Sequence, residues 1–208
     1  PHNLIKSDQM KAVKTIVQIL LFFTIVALGY FIYIGVMKPI DFANGKEARY
    51  KVVVQRLKDI RTAQIAHKSV YGKYTSSFDT LIHFVKEDSF PVEFAEGSLD
   101  DSLAVAMGLV VRDTFYVHIL DSIFPPGYPT DSLRYVPFTD DVQFELKSGF
   151  IMTASKVEVQ VFEATAQNFD ILNGMDRQLI INLNDLTDFP GLKVGSIDEA
   201  NNNAGNWE

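Results

Sequence analysis

Residues 15–37 contain no Asp, Glu, Lys or Arg, and Gln18 is the only strongly polar side chain among them. As an α-helix rising 1.5 Å per residue, this stretch would be roughly 35 Å long, enough to cross a ~30 Å hydrocarbon core with some tilt. An amphipathic helix of a soluble protein keeps a polar stripe, whereas every face of this helix would be apolar. Residues 15–37, called the apolar span below, therefore predict a single-pass transmembrane helix in a lipid bilayer.

Two other interpretations of the apolar span are a cleaved signal peptide and a buried core helix. Signal peptides usually have an apolar region of about 7–15 residues that ends at a small-residue cleavage site. The sequence Lys38-Pro39-Ile40 after the span does not match such a site. A retained membrane anchor is therefore favoured over both alternatives.

The net charge of −7 hides an uneven distribution along the chain. Residues 38–87 carry ten Lys or Arg against five acidic residues, whereas residues 88–208 carry six against twenty. The first region has a net charge of +5 and the second of −14. Nucleic acid is excluded as an expected partner because phosphate binding requires a basic surface. The absence of cysteine excludes disulfides, thiolate metal ligands and Cys nucleophiles.

These patterns divide the chain into four parts. Residues 1–14 are a short basic head, residues 15–37 the transmembrane helix, and residues 38–45 a linker. Pro39 and Gly45 are expected to interrupt the helix in the linker. Residues 46–208 are expected to form an extramembrane α+β domain, with a helical base over 46–87 and an acidic, β-rich part over 88–208.

The orientation in the membrane follows from two opposing arguments. Three Lys residues precede the apolar span and five Lys or Arg follow it closely, which taken alone would place the C-terminal domain in the cytoplasm. Long domains, however, cross the membrane largely regardless of charge. We expect a protein of the bacterial inner membrane with its N-terminus inside and its C-terminal domain in the periplasm.

Residues 46–71 have the pattern of a long amphipathic helix that ends at Gly72. The apolar residues recur at steps of three and four, at Val53, Leu57, Ile60, Ala63, Ala66 and Val70. The opposite side of the helix is basic and carries Lys51, Lys58, Arg61 and Lys68. The apolar stripe either packs on its own domain or is shared with another protomer or a partner subunit. The second interpretation makes Val53, Leu57 and Ile60 candidate docking residues.

The pattern after this helix indicates an α+β fold. Cap-like sequences at residues 76–79 and 98–101 predict two short helices, to about Lys86 and to Met107. Alternating apolar residues then predict four strands, at 110–120, 142–147, 157–161 and 178–183. Short connections favour a mainly antiparallel sheet, and the chain is expected to be loop-like from Asn184 onward.

Trp207 is the only tryptophan and lies in a polar segment rich in Asn and Gly. It either packs on its own domain or serves as an aromatic anchor for a partner. The second interpretation adds Trp207 to the docking candidates. It also predicts that deleting residues 201–208 weakens assembly of a complex without unfolding the domain.

No catalytic, cofactor or metal site is predicted, and we do not expect an enzyme. The four histidines fall in separate elements without ligand spacing, and the pairs at 100–101 and 140–141 are typical of caps and turns. A weaker alternative is a Ca²⁺ site in the acidic C-terminal loop, with carboxylate ligands from Asp185, Asp188, Asp198 and Glu199.

The run IRTAQIAHKSVYGKYTSSFDTL, residues 60–81, resembles the end of the long N-terminal helix of type IV pilins and type II secretion pseudopilins. The matching residues are Thr62, Ala63, Gly72, Lys73, Tyr74, Thr75, Ser76 and Leu81. The order of elements also matches, and some pseudopilins bind Ca²⁺ in a C-terminal loop. The Phe-Thr-Leu-Ile-Glu sequence that follows the prepilin cleavage site is absent, and the apolar span holds no Glu.

Together these features predict a structural or assembly subunit of a bacterial cell-envelope complex, such as a secretion or pilin-like apparatus. It would be a single-pass membrane protein that acts through contacts with other subunits or with its own copies. The alternative is a membrane-anchored sensor or binding module whose acidic domain captures a cation or a basic peptide.

Overall fold

The computed structural model describes residues 2–96, 111–153 and 155–208. It confirms an α+β fold in which a long N-terminal helix precedes antiparallel sheets and short helices. The elements in chain order are α1 (His2–Tyr71), α2 (Phe78–Glu87), β1 (Ser89–Glu96), β2 (Val111–His118), α3 (Ile119–Ile123), a 3-10 helix (Thr130–Arg134), β3 (Glu145–Met152), β4 (Glu158–Gln167), α4 (Asn168–Ile171), α5 (Arg177–Asn184) and β5 (Gly191–Gly195).

The chain divides into two compact units, Pro1–Glu47 and Ala48–Glu208. In the first unit, nearly every large apolar side chain between Val13 and Val36 is exposed, with Phe31 at 69%. The helix is long and apolar enough to cross a membrane. Because water disfavours so large an exposed apolar surface, this unit is compatible with a membrane anchor.

The predicted helix interruption at residues 38–45 is wrong. These residues are helical, and Pro39 lies inside α1. A single proline removes only one backbone hydrogen bond and adds one local steric conflict. Intact helical turns on both sides of Pro39 keep the helix continuous, since local propensity is only a weak determinant of structure. The proposed division into anchor and extramembrane domain remains a prediction.

In the second unit, one face of α1 forms part of the core. Val53, Leu57, Ile60 and Ala63 are completely buried, as the helical periodicity predicts. Val70, expected on the same stripe, is 37% exposed because it lies in the last turn. Gly72 ends the helix with a φ of +70°, a conformation that favours glycine, and its N–H donates to the Lys68 carbonyl oxygen at 2.8 Å.

Polar contacts also fasten this part of α1 to the rest of the unit. The hydroxyl of Tyr50 donates to the side chain of Asn168. The hydroxyl of Tyr128 donates to Asp59 at 2.7 Å, and burial together with this bond raises the pKa of Tyr128. Both contacts join residues more than 60 positions apart, so they fix the helix against distant segments.

The helix α2 follows the Gly72–Ser77 turn. Ser77, within the predicted cap sequence, is its N-cap, and the Ser77 hydroxyl accepts a hydrogen bond from the Thr80 N–H at 3.4 Å. The core face of this helix is as predicted, because Phe78, Leu81, Ile82 and Val85 are all buried. The second predicted short helix, at 98–107, lies outside the described residues.

Three strands form an antiparallel sheet in the order β3–β4–β5. The register pairs Glu145 with Thr165 and Glu163 with Gly195. Phe162 and Ala164 of the central strand β4 are fully buried. Strands β1 and β2 form a separate antiparallel ribbon. The alternation of residues in β2 predicts Phe115 on the apolar face, but its side chain is 48% exposed.

Two strand predictions are confirmed, one is displaced and one is wrong. Strands β2 and β4 match the runs at 110–120 and 157–161, whereas the strand predicted at 142–147 begins only at Glu145. Residues 178–183 lie in helix α5, capped by Asp176, whose side chain accepts from the N–H groups of Gln178 and Leu179. Leu179, Ile180 and Ile181 are consecutive, so the run never had the alternation of a half-buried strand.

The region after Asn184 is more ordered than expected. It contains strand β5, which pairs with β4 along Gly191–Gly195. Leu192 and Val194 of β5 are buried in the core. This strand has only five residues, and three of them are Gly191, Lys193 and Gly195, which are uncommon in strands. Its sequence therefore gives only a weak indication of a strand.

Candidate functional site

The three helical docking candidates lie inside the chain's own core. Val53, Leu57 and Ile60 each have no exposed surface. Packing of the stripe on its own domain is therefore the observed arrangement. In this fold the three side chains offer a partner no surface, which corrects their assignment as docking residues.

The fourth candidate, Trp207, also packs on its own domain. A Cβ added to Gly205 would overlap the Trp207 ring, so the indole lies directly against this buried glycine. The indole Nε1 is buried and, among the described residues, has no hydrogen-bond partner. An unpaired buried donor is unfavourable, so hydrogen bonding does not account for the position of the ring.

Residues 201–208, called the C-terminal segment below, are bonded to strand β5. The Gly195 N–H donates to the Ala204 carbonyl oxygen at 2.9 Å, and the Asn206 N–H donates to the Lys193 carbonyl oxygen at 3.1 Å. At its far end, Arg61 Nη1 of α1 lies 2.7 Å from Glu208 Oε1. The segment thus belongs to the folded unit, and its predicted role as a free docking tail is not supported by its contacts.

The basic side of α1 divides into free and engaged cations. Lys51 and Lys58 are exposed to solvent. Arg61 is paired with Glu208, and the Lys68 ammonium lies 4.5 Å from the centre of the Tyr74 ring. Only the first two therefore remain available to an acidic surface or to anionic headgroups.

A cleft of about 520 Å³ opens between the end of α1, the turn after it and α2. Its apolar wall is a cluster of three rings. The His67 ring centre lies 5.0 Å from that of Tyr71 and 5.0 Å from that of Phe84, and the Tyr71 and Phe84 centres are 5.8 Å apart. A volume of this size falls in the range of small-molecule sites.

The hydrogen bonds in the cleft define its polar groups. His67 is 97% buried, and its Nδ1 lies 2.7 Å from the Lys73 carbonyl oxygen. Since a carbonyl oxygen only accepts, Nδ1 donates this hydrogen bond, and in the neutral tautomer Nε2 presents its lone pair. The Tyr71 hydroxyl donates to Asp88 Oδ2 at 2.6 Å, and this bond to the carboxylate raises the pKa of Tyr71.

The folded chain brings together residues that are separate in sequence. His67 and His83, from α1 and α2, line the same cleft together with Asp88 and Ser148. Sequence reasoning assigned both histidines to separate elements and therefore missed the cleft. The sequence feature that could have indicated the cleft is the pair of aromatic residues Tyr71 and Tyr74, which flank the Gly72 turn.

The acidic C-terminal loop does not converge on a metal site. Asp185 and Asp188 are exposed in the turn after α5, and Asp140 and Asp141 are exposed before β3. Within the part of the chain that the structure describes, no group of three or more His, Asp or Glu side chains is placed to hold a metal ion. The pair at 100–101 lies outside that part. No protein family, curated protein or solved structure matches this chain.

Proposed function

We propose that this chain is a membrane-anchored structural or assembly subunit of a bacterial cell-envelope complex, of a secretion or pilin-like apparatus. The observation that carries the proposal is the apolar span, whose side chains are exposed on all sides of the helix. Lipid is the environment in which such a surface is stable. The subunit would act through protein contacts and not through catalysis.

The order of elements also favours this proposal. In α1 the apolar span is followed by an amphipathic part that ends at the Gly72-Lys73-Tyr74 turn, before an antiparallel sheet. This order resembles the arrangement of type IV pilins and pseudopilins. The absence of Glu from the apolar span favours a permanently anchored subunit over a cleaved filament subunit. We place it in the inner membrane with the Ala48–Glu208 unit in the periplasm.

Extraction of the full chain from membranes with alkaline carbonate tests the anchor. We expect the wild-type chain to remain in the pellet. Replacing Ile25 and Leu28 by Lys should release it, because each charge at the centre of a membrane helix costs roughly 3 kcal/mol on insertion scales. The matched replacements Ile25→Val and Leu28→Val should not. A wild-type chain that is released by carbonate would contradict the proposal.

Purification in mild detergent tests the assembly role. We expect stoichiometric envelope subunits, or further copies of this chain, to co-purify with it. Proteolysis of intact and permeabilised cells tests the orientation, since a periplasmic unit is cut once the outer barrier is opened. A monomer without stoichiometric partners would contradict the assembly role even if the anchor is retained.

A second candidate function is a membrane-anchored binding module that captures a cation or a basic peptide. The cleft beside Asp88 and the net charge of −14 over residues 88–208 favour it. Such a charge attracts cationic ligands to the surface. Ligand-dependent stabilisation of the purified chain would support this function, and stoichiometric partner subunits would favour the assembly role.

A further inference from the structure

We propose that the cleft between α1 and α2 binds an alkylammonium group, either a lysine side chain of a polypeptide or a free alkyl amine. This inference rests on the second candidate function and gives it a site. It does not depend on the assembly role. The groups that carry it are the three-ring wall, the carboxylate of Asp88 and the imidazole of His67.

Asp88 lines the cleft, and its carboxylate can supply the counter-charge of an ammonium group. One of its oxygens, Oδ2, accepts from Tyr71, and this bond leaves Oδ1 to a ligand. Asp88 is partly buried and, among the described residues, has no salt-bridge partner. A carboxylate without a cation attracts an incoming ammonium group and accepts charge-assisted hydrogen bonds from it.

The His67 ring adds a second acceptor in its neutral form. Its Nδ1 proton is committed to the Lys73 carbonyl oxygen, so Nε2 is the nitrogen that remains for a ligand. A lone pair fixed by a buried ring accepts from an N–H donor without reorganisation. The cleft therefore offers two acceptors to the three N–H donors of an ammonium group.

The ring wall suits the same ligand. Tyr71 is 52% exposed, so one face of its ring is available beside the buried Phe84. Aromatic faces attract cations and also cover the methylene groups of an alkyl chain. Among the described residues, Lys73 is the only Lys or Arg that lines the cleft. Its side chain is exposed, and its carbonyl oxygen accepts the hydrogen bond from His67.

Binding of Nα-acetyl-lysine amide to the purified full chain in detergent tests the proposal by titration calorimetry. The uncharged analogue Nα-acetyl-norleucine amide has the same backbone but no ammonium group. We expect at least about a tenfold preference for the lysine compound, which corresponds to ~1.4 kcal/mol. 1,5-Diaminopentane distinguishes the two sources, because it carries the ammonium without the peptide groups. Tighter binding of the diamine assigns the site to free amines, and tighter binding of the lysine amide assigns it to polypeptides.

Three variants locate the site. Asp88→Asn should weaken binding of the lysine amide about tenfold or more, and Tyr71→Leu should weaken it several-fold because the ring face is lost. The matched control Asp185→Asn removes an exposed carboxylate outside the cleft and should leave binding unchanged. Thermal unfolding of each variant establishes that it is folded.

Two results would overturn the proposal. The first is equal binding of the lysine and norleucine amides, or no binding of either amine at millimolar concentration. The second is unchanged binding in Asp88→Asn, which would place the ligand elsewhere while leaving the binding-module function intact. The assembly role is tested separately by carbonate extraction and co-purification, so its failure is distinguishable from both.

Discussion

The side-chain amide of Gln64 makes two hydrogen bonds with the backbone of Thr75. Its Nε2 donates to the Thr75 carbonyl oxygen at 2.6 Å, and its Oε1 accepts from the Thr75 N–H at 3.1 Å. Gln64 is completely buried. The side-chain amide thus pairs with both backbone groups of Thr75, as a neighbouring strand would, and fixes the turn after α1 to the helix.

Replacing Gln64 by Ala should lower the free energy of unfolding by about 1–3 kcal/mol, because both Thr75 groups lose their partners. Gln64→Glu should cost at least as much, since a carboxylate cannot donate to the carbonyl oxygen. Urea unfolding of the full chain in detergent measures both. Thr62→Ala, on the exposed side of the helix, is the control and should change stability by less than about 0.5 kcal/mol.

The buried stripe of α1 gives a second prediction. Leu57→Ala should lower the free energy of unfolding by roughly 2–5 kcal/mol, because it leaves a cavity in the core. Lys58→Ala changes the next residue, which is exposed, and should have little effect. The same urea experiment measures both variants. If Leu57→Ala instead leaves stability unchanged and disrupts a complex, the stripe is a docking surface after all.

The contact between Gly205 and Trp207 predicts a steric effect. Gly205→Ala should destabilise the chain by about 1–3 kcal/mol, since the new methyl group overlaps the indole ring. Gly149→Ala is the control, because a Cβ at Gly149 meets nothing within 4 Å. The double variant Gly205→Ala, Trp207→Ala should cost about as much as Trp207→Ala alone. Full additivity of the two single effects would mean that the ring does not lie on the glycine.

The ion pair between Arg61 and Glu208 predicts a pH dependence. The hydrogen bond from Arg61 lowers the pKa of the Glu208 carboxyl below 4.5. A carboxyl whose pKa is lower in the folded state contributes stability that is present above its unfolded pKa and is lost as the pH falls through its folded pKa. Between pH 7 and about pH 3, wild-type chain should therefore lose more thermal stability than Glu208→Gln. Equal losses would show that the pair contributes nothing.

The amphipathic helix and α2 could be predicted from sequence because each has a local cause. The spacing of Leu57 and Ile60 fixes the buried face, Gly72 supplies the positive φ that ends the helix, and a serine cap starts α2. The same local approach failed at Pro39, where neighbouring turns maintain the helix, and at residues 178–183, where a cap at Asp176 favours a helix.

The sequence by itself determined the uncharged apolar span, the basic and acidic halves and the core face of α1, because composition and periodicity act over neighbouring residues. Only the tertiary structure decided that Arg61 pairs with Glu208, and that His67 and Asp88 line one cleft. Those positions depend on where distant segments meet, and such meetings follow from packing of the whole unit, which no short stretch of sequence specifies.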